Sequence, residues 1–287
     1  MKTTRDSAVS PALRIGRIPY INCYPVYGAI DRGFVTLDAE LVDGVPTDLN
    51  HRMATGELDI SVVSAVEYAR DSARYLLLPD LAISCDGPVR SVMLFSRRPA
   101  GELGGRSVLV SRSSMTSVAL LELLFENVWH TNPRFVPGDA EVRDVIESND
   151  DATDARLVIG DAALVLGSTQ RDRYPYVYDL GATWKEWTGQ PFVFAVWVAQ
   201  RSTNVRQALN AHAGLIASRD WGLSHLPELA EQAHQATGVS RLICDEYLSG
   251  LDYGLSYPHL AGLTEFYRRL VERGRIPNGT LTFLPAA

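Results

Sequence analysis

Pro191 to Ala199 reads PFVFAVWVA, an uncharged run of β-branched and aromatic residues that reads as a crossover strand. It is long enough to carry the chain from one lobe of a molecule back into another. Its counterpart upstream is Ile83 to Ser96 (ISCDGPVRSVMLFS), interrupted at Gly87 and Pro88 and alternating in its second half as a strand does. Between the two, Pro99, Gly101, Gly104 and Gly105 punctuate the chain, and a new series opens with the strand Ser107 to Val110. This pattern predicts an inserted lobe, residues 96–197, joined through crossings near 95–98 and 193–199 to a discontinuous first lobe of residues 1–95 and 198–287.

Outward from these crossings, strand and helix patterns alternate, the arrangement of α/β lobes on mixed, mostly parallel sheets. In the first lobe, Leu13 to Ile18, Ala39 to Val42, Leu58 to Val63 and Tyr75 to Leu78 read as strands, with helices from Pro46 to Ala54 and Ala65 to Asp71. The inserted lobe carries an apolar helix from Thr116 to Trp129, strands at Arg134 to Val136, Leu157 to Ile159 and Val177 to Leu180, and helices at Glu141 to Ser148 and Ala162 to Gly167. From Asn204 onward the spacing is helical, in segments Val205 to Ala217, Pro227 to Thr237, Arg241 to Leu248 and His259 to Glu272, which return to the first lobe. Two lobes with two connections make a hinged molecule, and the cleft between them is the expected ligand site.

Composition narrows the chemistry. The chain has 287 residues, a net charge of −7 and only two lysines, Lys2 and Lys185, which argues against an extended nucleic-acid surface. An anionic ligand must then be held by local dipoles or a few arginines. Cys23, Cys85 and Cys244 are widely spaced and fit neither a zinc site nor a disulfide framework. Met1 to Ala12 has no apolar run of signal-peptide length, and no stretch approaches a membrane span, so a cytoplasmic protein with no membrane partner is expected.

Four segments carry candidate chemistry. Arg17 to Pro25 (RIPYINCYP) forms a stiff loop at the carboxyl end of the first strand, where open α/β sheets bind ligands; Asn22 either meets a ligand there or caps the next helix. Ser111 to Ser117 (SRSSMTS) precedes an apolar helix, so its hydroxyls and free N–H groups suit an anion, or Ser114 or Thr116 simply caps. Gly160-Asp161 opens another helix, with Asp161 as ligand or cap. In Asp86 to Ser91 (DGPVRS), Ser91 stands close to the hinge. The six histidines have no metal-ligand spacing, and no Gly-x-Ser-x-Gly elbow, Walker loop or dinucleotide fingerprint occurs.

The loop Arg17 to Pro25, the segment Ser84 to Ser91, Gly160-Asp161, Asp179 to Trp197, Tyr253-Gly-Leu and Leu263 to Leu270, in this order over nearly the whole chain, resemble the chorismate dehydratase family of the futalosine route to menaquinone. The resemblance implies a fold like the type II periplasmic binding proteins and removal of water from chorismate to give 3-[(1-carboxyvinyl)oxy]benzoate without a cofactor. It makes Asn22 and Ser91 the catalytic pair and Tyr20, Ser64, Ser113, Ser114, Met115, Thr116, Gly160 and Asp161 the substrate contacts. No His, Glu or Lys in the matched loops presents itself as the general base, so the substrate's own side-chain carboxylate is the expected base. Two alternatives are a cytosolic sensor of a small carboxylate and the sister dihydroxynaphthoate synthase, whose resemblance would require a different opening loop.

Overall fold

The structure is a computed structural model, and it describes residues 12–112, 114–138, 153–169 and 173–285. Ser113 and the helix expected over Glu141 to Ser148 lie outside the described residues. Two five-stranded sheets organise the chain. The first has the order β2-β1-β3-β10-β4, built from β1 (Leu13–Arg17), β2 (Ala39–Asp43), β3 (Ile60–Ser64), β4 (Tyr75–Cys85) and β10 (Phe192–Gln200). The second has the order β7-β6-β8-β5-β9, from β5 (Val92–Ser96), β6 (Ser107–Ser111), β7 (Arg134–Gly138), β8 (Ala155–Ile159) and β9 (Tyr176–Asp179).

In each sheet one strand runs against the others. β10 pairs antiparallel with both β3 and β4, while β1 pairs parallel with β2 and β3. In the second sheet β5 is the reversed strand, antiparallel to β8 and β9, and β6 is parallel to β7 and β8. The reversed strands are the two that arrive from the other sheet. The mostly parallel character follows from the strand–helix units, and the reversals follow from the crossings.

The sheets divide the chain a few residues earlier than the expected breaks at 95/96 and 197/198. All of Val92–Ser96 is hydrogen-bonded into the second sheet and all of Phe192–Gln200 into the first. The free crossing segments are the turns Asp86 to Ser91 and Gly189 to Pro191. A crossover strand gains its ladder along its whole length, so the change of sheet falls where Gly and Pro break the ladder.

The helices are α1 (Tyr24–Asp31), α2 (Pro46–Thr55), α3 (Ala65–Arg70), α4 (Met115–Asn127), α5 (Gly160–Thr169), α6 (Leu180–Thr188), α7 (Val205–Ser224), α8 (Leu226–Thr237), α9 (Arg241–Gly250) and α10 (Tyr257–Glu272). α7 runs farther than its expected end at Ala217. β4 continues past Pro79, with Asp80 at φ 52° marking the irregularity, so the single expected strand Tyr75 to Leu78 is the first third of a longer one. α10 folds back onto β10, and the second crossing is packed by aromatic rings: Trp184 of α6 lies 5.2 Å from Phe192 and 6.0 Å from Phe266 of α10. Trp184 Nε1 also donates to Pro191 O at 3.2 Å, so one side chain of the second lobe pins the turn returning to the first. No described helix is long and apolar enough to cross a membrane.

Candidate active site

Where the carboxyl ends of the two sheets face each other, a cavity of about 70 Å³ is lined by Tyr20, Asn22, Ser64, Ser91, Ser114, Ser117 and Gly160, with Ile18, Ile83 and Phe194 supplying apolar wall. Six of the ten expected site residues meet here. The walls come from both lobes: Tyr20 and Asn22 follow β1 and Ser64 ends β3 of the first sheet, while Ser114, Ser117 and Gly160 stand at helix starts of the second.

Asn22 sits in a single 3₁₀ turn, Ile21–Cys23, between β1 and α1. It caps nothing: the N-cap position of α1 is Cys23, and no side chain closes that helix start. Its Oδ1 is buried and has no hydrogen-bond partner among the described residues. A buried amide oxygen left unpaired is costly, and this one is an acceptor open to a donor in the cavity.

Ser64 caps α3, with its Oγ accepting from Glu67 N at 3.2 Å. The same oxygen accepts from Asn50 Nδ2 at 3.2 Å, and Asn50 Oδ1 accepts from Ser64 N. With two bonds accepted, the Ser64 hydroxyl keeps its hydrogen for an acceptor in the cavity. Ser114 caps α4 by accepting from Ser117 N at 3.2 Å and donates to Ser117 Oγ at 2.7 Å. The first-turn N–H groups of this 13-residue apolar helix end at the same wall, where a carboxylate gains from both dipole and donors.

Gly160 accounts for its own presence. Its φ is +61°, its N–H donates to Ser91 O at 2.8 Å, and a Cβ added there would approach Tyr20 Cδ2 to 3.0 Å. The Tyr20 ring thus closes on the start of α5 from the opposite lobe. Ser91 is 3% exposed, and its backbone N–H and C=O are both spent, on Val89 O and Gly160 N, so only its hydroxyl is available for chemistry.

Three expected contacts stand elsewhere. Asp161 Oδ1 accepts from Ile21 N at 3.1 Å, tying the second lobe to the turn that carries Asn22. Thr116 Oγ1 accepts from Val66 N at 3.1 Å, and Met115 Sδ receives Asn50 Nδ2 at 3.4 Å. Both face the first lobe rather than the cavity, because the first turn of a helix divides its residues between two faces and the hydroxyls at 114 and 117 take the other one. Ser117 belongs to the Ser111 to Ser117 stretch, and its three-residue offset from Ser114 is the signal that places it on the wall. Asn50 acts at long range with no local motif to mark it, and Asp179, though it opens a matched segment, is not singled out by the sequence for the turn it holds.

Among the described lining residues there is no carboxylate, imidazole, amine or guanidinium. Cys23 lines the cavity, but burial and the nearby Asp161 charge push its thiol well above the ordinary range, so it is a neutral hydrophobe. Arg17, next to the loop, is already committed: Nε meets Asp43 Oδ1 at 2.6 Å and Nη1 meets Asp31 Oδ1 at 2.5 Å. No histidine lines the cavity, and the described residues hold no metal-binding cluster of three or more His, Cys, Asp or Glu.

Similarity to other proteins agrees with this arrangement. The chain is 31% identical over 268 residues to a protein of Thermus thermophilus named chorismate dehydratase, covering 88% of this chain and 95% of that protein. A protein of the same name from Campylobacter jejuni is 28% identical over 185 residues, 63% of this chain and 64% of its own length. Among solved structures, a protein from Archaeoglobus fulgidus superimposes with a TM-score of 0.75 at 18% identity, over 92% of this chain and 98% of that one. The periplasmic aliphatic sulphonate binding protein SsuA from Escherichia coli does so with a TM-score of 0.63 at 14% identity, over 95% and 96%. These likenesses establish the periplasmic-binding-protein-like fold. Residues 13–272 match the family model described as menaquinone biosynthesis, and the chain belongs to that family.

Proposed function

We propose that this protein is a hydro-lyase that dehydrates chorismate to 3-[(1-carboxyvinyl)oxy]benzoate, with Asn22 and Ser91 as its catalytic residues. The observation that carries the reading is the unpartnered, buried Asn22 Oδ1 in a cavity whose described walls offer hydroxyls but no base. Chorismate has two carboxylates and one hydroxyl. Its hydroxyl is therefore the only hydrogen it can donate to Asn22 Oδ1, and it sits on the carbon whose C–O bond must break.

The ring carbon bearing the enolpyruvyl ether is vinylogous to the ring carboxylate. Its proton passes to the substrate's own side-chain carboxylate, and the electron pair delocalises toward the ring carboxylate. The neighbouring C–O bond then breaks and the ring becomes aromatic. Hydroxide departs and, with the proton held by the carboxylate, becomes water, so atoms and charge balance without an oxidant or added acid. Ser91 assists by donating to the departing oxygen. Ser64, Ser114, Ser117 and the N–H groups at the start of α4 face the charge that accumulates on the ring carboxylate.

A cavity of about 150 Å³ holds a benzene-sized guest, so the 70 Å³ space admits a disubstituted ring only when the lobes part at the two crossings. Closure then excludes water from the dienolate. The same reading places the product in the futalosine route to menaquinone and the enzyme in the cytoplasm. Purified protein incubated with chorismate, without added metal or nucleotide, is expected to yield the carboxyvinyloxybenzoate by chromatography and mass. Chorismate bound and recovered unchanged would make the protein a carboxylate sensor instead.

A further inference from the structure

One hydroxyl of the cavity wall has its direction set from behind. Asn50 lies inside α2, 3% exposed, and stands behind Ser64, which lines the cavity. A buried amide must spend its hydrogen bonds, and the bonds of Asn50 converge on this one residue. Its Oδ1 accepts from Ser64 N at 3.2 Å and its Nδ2 donates to Ser64 Oγ at 3.2 Å. The remaining Nδ2 hydrogen points to Met115 Sδ of α4, 3.4 Å away in the other lobe. Which end of the amide faces the hydroxyl is fixed. A backbone N–H can only donate, so Ser64 N claims the amide oxygen and leaves the NH2 group facing Ser64 Oγ.

A serine hydroxyl has two lone pairs and one hydrogen, and what it offers a ligand depends on which of them are already used. At Ser64 both lone pairs are taken, one by Glu67 N at 3.2 Å and one by Asn50 Nδ2. We propose that Asn50 is a positioning residue that makes the Ser64 hydroxyl a donor only, so that this part of the wall selects an ionised carboxylate of the substrate over any group that must itself donate. Without the amide, the hydroxyl could turn its hydrogen away and show the ligand a lone pair. The other lobe completes the same corner of the structure. Met115 covers the amide, and next to it Thr116 Oγ1 accepts from Val66 N at 3.1 Å, so the start of α4 seats on the start of α3.

The inference rests on the chorismate dehydratase reading, and its test separates the two. Asn50→Asp keeps the shape and the acceptor for Ser64 N but replaces the donor with an acceptor, so Ser64 should donate to Asp and lose its hydrogen for the ligand. In the full-length protein, product affinity by calorimetry should fall roughly tenfold, the scale of one hydrogen bond to a charged acceptor. KM for chorismate should rise to match, with a smaller change in kcat. Asn50→Ala, which buries no new charge, should give a smaller loss in the same direction. In a Ser64→Ala background neither change should weaken product binding further, whereas damage to the fold would add to it. Wild-type affinity in both Asn50 variants, or losses that persist in the Ser64→Ala background, would overturn the proposal and leave the dehydratase reading intact. A wild-type protein that binds chorismate without turnover would overturn the reading itself.

Discussion

The Asp179 carboxylate accepts the backbone N–H of Arg90 at 2.7 Å, a contact between residues 89 positions apart in the chain. Its other oxygen takes Val89 N and Ala182 N, both at 3.0 Å, so one carboxylate both caps α6 and grips the turn that ends at Ser91. Arg90 is held at φ 60°, a conformation that a residue with a side chain adopts only under external constraint. Asp179 is that constraint. Asp179→Ala should release the turn, lowering kcat with little change in KM, and should cost about 1–2 kcal/mol through the lost cap. Steady-state kinetics beside thermal melting check both parts. Unchanged kcat with a lowered Tm would confine Asp179 to capping.

Asn22→Ala and Ser91→Ala are each expected to lower turnover by at least ~100-fold, the usual loss for one donor or acceptor aligned with the reacting group. The stability of Asn22→Ala should hold or rise, because the wild-type Oδ1 is buried without a partner and its removal relieves that cost. Near-normal rates in both variants, measured by product formation, would return the pair to structural roles.

The fold was legible where apolar length decides it. Pro191 to Ala199 has no charge to place in water, so a buried central strand is its only home, and β10 lies between β3 and β4. The crossings were displaced because hydrogen-bond registers, such as Val92 opposite Ile159, are tertiary facts without a local sequence mark. The site shows the same split. Asn22 and Ser91 stand in loops whose Pro and Gly residues announce a strand end, whereas Thr116 and Asp161 became interlobe contacts because partner N–H groups at Val66 and Ile21 claimed them. Asn50 was invisible since its effect on Ser64 runs through a fold-dependent pair of bonds.

Acid should loosen the C-terminal segment. Asp252 Oδ2 lies 3.1 Å from His259 Nε2, and the hydrogen bond from His259 holds the Asp252 carboxyl below its ordinary value. A carboxyl with a folded pKa below its unfolded value, about 3.9, stabilises fully above the unfolded value. That contribution is lost as pH falls through the folded pKa. Urea midpoints measured from neutral pH down to the acid limb should therefore fall less steeply for Asp252→Asn than for wild type. Equal slopes would show that the pair contributes nothing to acid sensitivity.

The last expectation concerns how an acidic chain of net charge −7 holds a dianion. The bonds made by Thr116 and by Ser114 with Ser117 divide the start of α4 into a face that joins the lobes and a face that lines the cavity. Ser114→Ala combined with Ser117→Ala should weaken product binding by about 1–3 kcal/mol, the cost of losing hydrogen bonds to a charged acceptor. Thr116→Val should act differently, leaving Val66 N without its acceptor and lowering Tm. Because the dipoles act at contact range inside a closed cavity, affinity should change little with salt beyond the Debye length of about 8 Å at physiological ionic strength. Arg17 is neutralised by Asp31 and Asp43 and adds no long-range pull. Calorimetric titration with product across a salt series tests the whole arrangement. A steep salt dependence with an unaffected serine pair would move the anion site to a free guanidinium.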